Sequence, residues 1–269
     1  MIGLEWLAAY LLLGVAVGFF AGLLGIGGGG IMVPVLAALF AAQGFGGAHL
    51  VHMALASSMA AIVVTSMASL RAHHKHGAVI WPVVWSISPG IIAGTFAAAF
   101  VAALIPNRPL ALFFVVFMAY VSVQMVLNVR PKPGRQLPGA IGLTSVGLLI
   151  GAISALVAIG GGSLTVPFLT WCNVRMQNAI ATSAAVGLPL SLAGTLGYMA
   201  SGWGAEGLPV YSFGYIYLPA VAAIAVVSAV TAPLGAKLAH RLPVTALKKL
   251  FALLLLLLSA KMLHTVFTA

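Results

Sequence analysis

Two near-copies of one glycine-rich string decide how this chain is organised. Gly25-Ile26-Gly27-Gly28-Gly29-Gly30-Ile31-Met32-Val33-Pro34 recurs about half a chain later as Ala158-Ile159-Gly160-Gly161-Gly162-Ser163-Leu164-Thr165-Val166-Pro167. Three or four successive glycines favour irregular backbone, which is tolerated at membrane depth only where it is buried in protein or lines a cavity. Matching breaks in the two halves of a membrane chain are a sequence pointer to a transporter's binding site.

The composition places the chain in a lipid bilayer. Of its 269 residues, 62% are hydrophobic and 5% are charged, which no soluble domain matches. This length supplies roughly eight to ten spans of about 20 residues each. The net charge of +10 is interpreted mainly as basic loops on the cytoplasmic side, with attraction of an anionic substrate as the alternative. No basic and aromatic array predicts nucleic-acid binding. The single cysteine, Cys172, allows no internal disulfide and no metal pattern, and no cofactor is predicted.

The apolar segments fall into two sets of five. Hydropathy and breaker residues place them at about 4–24, 31–42, 48–70, 79–104 and 109–129, and again at about 138–157, 164–172, 178–200, 213–236 and 247–267. We therefore predict an all-α polytopic membrane protein with an N-terminal repeat over residues 1–129, a basic cytoplasmic linker over 130–137 and a C-terminal repeat over 138–269.

Loop charge predicts that the two repeats are inverted. An odd number of segments per half reverses the direction of the second half, and the charges swap sides accordingly. The basic segment 71–76 corresponds to 201–212, which holds Glu206 and no Lys or Arg, whereas the turn at 105–108 holds only Arg108 and its counterpart is strongly basic. The positive-inside rule then predicts a multi-pass membrane protein with both termini on the outer side, which is the periplasm if the membrane is a bacterial inner membrane.

The second segment of each half is too short to span as a helix. Residues 164–172 give about 13 Å of helix, and an extended glycine stretch before them adds about 20 Å, which together cross a core of about 30 Å. We predict half-helices that begin near Ile31 and Leu164 at the midplane. The alternative is two full spans joined by a tight glycine turn at the surface.

Such half-helices suit an anionic ligand. Their first amides are unpaired and carry the positive end of the helix dipole, and glycines let the backbone adopt positive φ and approach a ligand closely. The glycines could instead serve close helix packing. Pro34 and Pro167 are expected to fix geometry rather than touch substrate. The candidate substrate-binding residues of the breaks are Gly27, Gly28, Gly29, Gly30, Gly160, Gly161, Gly162, Ser163 and Thr165.

A second polar band follows the breaks in each half. Hydroxyls at matching depth in the two repeats could coordinate an oxyanion or Na⁺, or could simply bond their own helix carbonyls. His52 is a candidate ligand or proton site, or an interfacial solvated histidine. The band consists of Ser57, Ser58, Thr182 and Ser183, with His52, Gln177 and Asn178 just before them.

Missing residue types exclude several mechanisms. The chain has no Asp, and Glu5 and Glu206 are its only carboxylates, so neither an intramembrane carboxylate relay nor a Ser-His-Asp enzyme is available. No nucleotide-binding motif is present. The identity of a coupling ion, H⁺ or Na⁺, stays open.

The repeated strings resemble the TauE/SafE sulfite exporter (TSUP) family. The resemblance lies in the glycine stretches that end at Val33-Pro34 and Val166-Pro167, and in the segments Ala179–Ser183, Ala193–Tyr198 and Ala232–Pro243. It implies an inner-membrane transporter or exporter of small sulfur-containing anions, such as sulfite or organosulfonates like sulfoacetate. The alternatives are a passive anion channel and a transporter of a non-sulfur organic anion.

Overall fold

The computed structural model describes residues 3–24, 28–45, 47–75, 77–127, 134–239 and 244–268. Within these ranges the chain forms ten helices and one short hairpin. They are α1 (Leu4–Leu24), α2 (Gly29–Ala42), α3 (Leu50–Lys75), α4 (Trp81–Ala103), α5 (Asn107–Leu127), α6 (Ala140–Val157), α7 (Gly162–Trp171), α8 (Met176–Ser201), β1 (Ser212–Phe213), β2 (Ile216–Tyr217), α9 (Leu218–Ala239) and α10 (Val244–Thr268).

Helix lengths confirm an all-α polytopic membrane protein. Among the described residues, eight helices are long and apolar enough to cross a membrane, namely α1, α3, α4, α5, α6, α8, α9 and α10. The helices that follow the glycine strings are shorter, 14 residues for α2 and 10 for α7. They begin at Gly29 and Gly162, two residues before the predicted starts, because the glycines themselves enter the helix.

The two longest helices, α3 and α8, cross in opposite directions at the centre of the molecule. Each has 26 residues, about 39 Å at 1.5 Å per residue. Met59 contacts the backbone at Gly194, and further along α3 Ser66 contacts the backbone at Gly187. The α8 number falls as the α3 number rises, so the helices are antiparallel, and the crossing centre lies between these two contacts.

Two further helix pairs flank this crossing and use equivalent contacts. α1 packs along α9, and α4 packs along α6. A side chain at Gly14 would press on the carbonyl of Ile224 in the first pair, and one at Gly147 would press on the carbonyl of Ile87 in the second. Small residues allow this close backbone approach. The contacts are thus related by exchange of the two halves of the chain, while the repeat boundaries at 1–129 and 138–269 stay a prediction.

One end of the helix bundle carries the two carboxylates. Glu5 and Glu206 are both exposed, and the start of α1, the α2–α3 turn and the loop before α9 line one open cavity of about 690 Å³ there. The start of α5 lies close to the end of α10, because Arg108 stacks on the ring of Phe267. We call this side the acidic end.

The opposite side carries exposed Arg71, Arg135 and Arg175. The Arg135 amide donates to the carbonyl of Trp171 at 3.4 Å, which joins the residues before α6 to the end of α7. Arg135 also stacks on the indole of Trp171. We call this side the basic end; residues 130–133 of the predicted linker lie outside the described residues.

Candidate functional site

The two glycine breaks meet at the centre of the α3–α8 crossing. Gly28 and Gly161 cap α2 and α7 with almost the same left-handed backbone, at φ of 75° and 78°. A side chain at Gly29 would collide with the carbonyl of Ala158, the last residue before the second break. The two breaks therefore meet at one depth of the molecule. Gly27 lies outside the described residues.

Each break also touches the middle of a long helix. The Cβ position of Gly29 lies 3.2 Å from Ile62 of α3, and the Cβ position of Gly187, in α8, lies 3.0 Å from the carbonyl oxygen of Gly160. Both long helices are near their midpoints here. The half-helices α2 and α7 therefore begin deep in the bundle, with their positive dipole ends directed to its centre.

The start of α7 holds a group of donors without partners. The first helical bonds run from the amides of Leu164 and Thr165 to the carbonyl of Gly161, at 3.2 and 2.8 Å. The preceding amides of Gly162 and Ser163 have no backbone partner among the described residues. The hydroxyls of Ser163 and Thr165 are likewise buried without a hydrogen-bond partner within the described ranges. Backbone amides and hydroxyls together suit an oxyanion.

The prolines of the two half-helices occupy the same position. Pro34 and Pro167 are each the sixth residue of their helix, counted from Gly29 and Gly162. Proline has no amide hydrogen, so the carbonyl four residues earlier, on Gly30 or Ser163, lacks its helical donor. The prolines thus act on helix geometry next to the breaks, and their role in transport stays a prediction.

A small cavity adjoins the second break on its basic side, and its polar wall was missed from the sequence. It measures about 20 Å³, close to the volume that holds one water molecule. It is lined by Thr65, Ser66 and Ser69 of α3, by Gly160, and by small residues of three other helices, namely Ala21, Gly22, Ala184 and Ala232. The available signal was the spacing of these three hydroxyls, which places them within about one turn of α3.

The structure does not bring the second polar band together. Ser57 accepts a hydrogen bond from the amide of Tyr217, just before α9, and Thr182 accepts one from the amide of Ile80, just before α4, both at 3.0 Å. These partners lie toward the acidic and basic ends respectively. The expectation that these hydroxyls lie at one depth is therefore wrong, because α3 and α8 are antiparallel and carry equivalent residues toward opposite ends. Ser58 and Ser183 are buried nearby, and their hydroxyls have no partner among the described residues.

His52 sits toward the acidic end, away from the breaks. Its Nε2 lies 2.9 Å from the carbonyl oxygen of Ala102, and its ring packs against His49 and Tyr215 with centroids 5.8 and 5.2 Å away. Burial raises the pKa of the Tyr215 phenol. The structure thus places His52 in an aromatic cluster.

Gln177 and Asn178 lie toward the basic end. Gln177 is exposed, and the side-chain amide of Asn178 donates to the carbonyl of Ala78 at 3.1 Å. His52, Gln177 and Asn178 are therefore not brought together.

An all-α membrane protein whose half-helices meet at its centre has an architecture typical of membrane transporters. The chain belongs to the sulfite exporter TauE/SafE family, whose model matches residues 10–262. It is 39% identical to a probable membrane transporter protein of Haemophilus influenzae, over 94% of this chain and 96% of that one.

More distant relatives have the same description. Probable membrane transporter proteins of Methanocaldococcus jannaschii and Xylella fastidiosa are 26% and 31% identical, over 86% and 68% of this chain and 86% and 70% of theirs. No solved structure matches this chain. The protein is thus a multi-pass membrane transporter, and these names point to transport rather than to an enzyme.

Proposed function

We propose that this transporter carries small sulfur-containing oxyanions, sulfite or organosulfonates such as sulfoacetate, and binds them between the two glycine breaks. The single observation behind the proposal is the start of α7, where the amides of Gly162 and Ser163 and the buried hydroxyl of Thr165 have no partner among the described residues. Gly28, Gly29 and Gly30 supply the facing start of α2.

The chemistry of the site favours an anion. Two helix N-termini converge there, and each carries partial positive charge on its first amides. The chain has no Asp, and both of its Glu residues are exposed at the acidic end. A tetrahedral or pyramidal oxyanion offers several acceptor oxygens to such a group of neutral donors.

The shape of the site favours a carrier over the passive anion channel. The cavity beside Gly160 lies on the basic side of the breaks. On the acidic side the corresponding level is filled, since Met59 and Thr95 lie 3.1 and 3.2 Å from the Cβ position of Gly194. A small cavity on one side of a central site and tight packing on the other is the kind of asymmetry that alternating access requires.

We also propose that the basic end faces the bacterial cytoplasm and that both termini are periplasmic. The support is the exposed arginines of that end against the carboxylates of the other. Two single-cysteine variants made after Cys172→Ser test the orientation, Glu206→Cys at the acidic end and Gln136→Cys at the basic end. An impermeant maleimide should label only the first in intact cells, and the reverse pattern would invert the assignment.

Thermal stabilisation of the purified protein tests the substrate and the site. Sulfite, sulfoacetate, taurine, thiosulfate, sulfate, chloride and a carboxylate such as acetate form the panel. A ligand that binds only the native state stabilises it by about RT ln(1 + [L]/Kd). We expect a sulfur oxyanion to raise the melting temperature, and Gly161→Ala to abolish that shift.

The matched control is Gly204→Ala. Gly204 has φ of 81° and open space around its Cβ position, whereas Gly161 has φ of 78° at the site. Both substitutions carry the same backbone strain, about 1–2 kcal/mol, but only one touches the break. A melting-temperature shift with acetate alone would support a non-sulfur organic anion. An unchanged shift in Gly161→Ala would contradict the proposed binding site.

A further inference from the structure

The helix packing gives the basic-side cavity a counterpart on the acidic side. A side chain at Gly18 of α1 would meet the carbonyl of Ser228, and one at Gly151 of α6 would meet the carbonyl of Ile91. Three residues after these glycines come Ala21 and Ser154, and four residues after these carbonyls come Ala232 and Thr95. The cavity-lining residues Ala21 and Ala232 therefore correspond to Ser154 and Thr95.

The counterpart region is closed and yet polar. Thr95 and Ser154 are 0% exposed, and neither hydroxyl has a hydrogen-bond partner among the described residues. They lie on the packed pair α4 and α6, where the Cβ position of Gly151 is 2.8 Å from the Thr95 hydroxyl oxygen. Buried hydroxyls without partners are unfavourable, and these two lie in one packed interface.

We propose that Thr95 and Ser154 form a second oxyanion-binding half-site, which is closed here and opens on the acidic side when the cavity beside Ser66 closes. The inference rests on the proposed function and extends it, because it names the residues that the substrate meets on the other side of the breaks. Neutral hydroxyl donors at both half-sites suit the same class of ligand, a small oxyanion.

Two buried side chains hold this half-site closed. Met59 fills the space against Gly194, at the level where Ala184 lines the basic-side cavity in the other half. The fully buried Tyr198 donates its phenol hydrogen to the carbonyl oxygen of Ala155 at 2.8 Å. This hydrogen bond joins α8 to α6 next to Ser154. Tyr198 therefore acts as a positioning residue whose hydrogen bond holds the acidic side closed.

Cysteine reactivity tests the proposal on the purified, full-length protein. After Cys172→Ser, three variants are compared: Ser66→Cys in the basic-side cavity, Thr95→Cys in the closed half-site and Ser122→Cys in α5. Ser122 is also buried with an unpartnered hydroxyl among the described residues, so it is the matched control. The probe is 2-sulfonatoethyl methanethiosulfonate, which is itself a small sulfonate. We expect Ser66→Cys to react fastest.

Removal of the Tyr198 hydrogen bond should shift the reaction rates of Thr95→Cys and Ser66→Cys in opposite directions. Tyr198→Phe should raise the reaction rate of Thr95→Cys by about tenfold, the effect of about one buried hydrogen bond, and should slow Ser66→Cys. Tyr10→Phe is the control, because Tyr10 is also fully buried and its hydroxyl accepts from Gln43 away from the half-site. Neither substitution should change the rate of Ser122→Cys.

Two results would overturn the proposal. If Thr95→Cys stays as unreactive as Ser122→Cys, with and without Tyr198→Phe, the acidic side is a packed core and not a half-site. An equal rise at all three cysteines would make Tyr198→Phe a general loosening. Both readings compare cysteines that meet the same probe without added substrate, and protection of Ser66→Cys by sulfoacetate tests the sulfur-oxyanion assignment separately.

A conservative pair covers the case in which a cysteine variant does not fold. Thr95→Val and Ser154→Ala keep the shape of the packed interface and remove only the hydroxyls. We expect each substitution to raise the half-saturation concentration for substrate offered at the acidic side by about tenfold, without lowering the melting temperature. Unchanged transport in both variants would refute a contact with substrate.

Discussion

At the scale of single residues, the Thr165 hydroxyl separates a binding role from a structural one. It is 0% exposed and has no partner among the described residues. Thr165→Val removes a buried polar group that is unfavourable in the empty protein, so the melting temperature should hold or rise. Binding of the oxyanion should weaken about tenfold or more, because hydrogen bonds to charged groups contribute about 1.5–3 kcal/mol.

The control for this prediction lies on the same helix. The hydroxyl of Thr170 bonds the carbonyls of Val166 and Pro167, at 2.9 and 3.0 Å, and so is not free for a ligand. Thr170→Val should leave affinity unchanged. Titration calorimetry or ligand-dependent melting measures both variants, and equal affinities for Thr165→Val and the parent would contradict the role given to Thr165.

Ser57 illustrates the opposite case, a hydroxyl that the sequence marked for binding and the fold uses for structure. Its oxygen accepts the Tyr217 amide at 3.0 Å, so Ser57→Ala leaves that amide without an acceptor. The expected loss of stability is about 1–3 kcal/mol, with substrate affinity intact. The neighbouring Ser58→Ala removes an unpartnered hydroxyl and should cost little, as a thermal melt would show. Equal losses in the two variants would argue against the hydrogen bond.

At the scale of the elements, glycines set the distance between paired helices, and a graded series tests it. The Cβ position of Gly147 overlaps the carbonyl of Ile87, that of Gly14 lies 2.9 Å from the carbonyl oxygen of Ile224, and that of Gly139 has open space. Alanine at these three glycines should therefore destabilise in that order, with about 1–3 kcal/mol for the most crowded. Melting in detergent measures the order. Equal effects at Gly147 and Gly139 would show that the helices are not in close contact.

The helix order was predictable because it depends on local properties of the sequence. Lengths of apolar runs, breaker residues and loop charges marked the long segments and both half-helices, since a bilayer imposes a fixed span. The partners of Ser57 and Thr182 were not predictable, because each hydroxyl meets an amide more than 100 residues away in the chain. The wall of Thr65, Ser66 and Ser69 was missed because membrane hydroxyls commonly bond their own helix.

At the scale of the whole molecule, three helix pairs divide the work. α3 and α8 form the central crossing, and α1 with α9 and α4 with α6 form the equivalent pairs on its two sides. The small basic-side cavity borders the α1–α9 pair, while the buried hydroxyls of Thr95 and Ser154 lie in the α4–α6 pair. A small relative rotation of the pairs about the breaks would exchange which side is open.

The proposed alternating access predicts carrier kinetics, because each transported ion would require the helix pairs to rearrange. In proteoliposomes, uptake of labelled sulfoacetate or sulfite should saturate with concentration, and unlabelled substrate inside should accelerate it by exchange. Thr165→Val should raise the half-saturation concentration about tenfold, by the same hydrogen-bond argument, while Thr170→Val should match the parent. A channel would instead give flux proportional to concentration with no acceleration by internal substrate. Such linear flux, in vesicles where the thermal shift confirms a folded protein, would exclude the alternating mechanism and favour a passive pore.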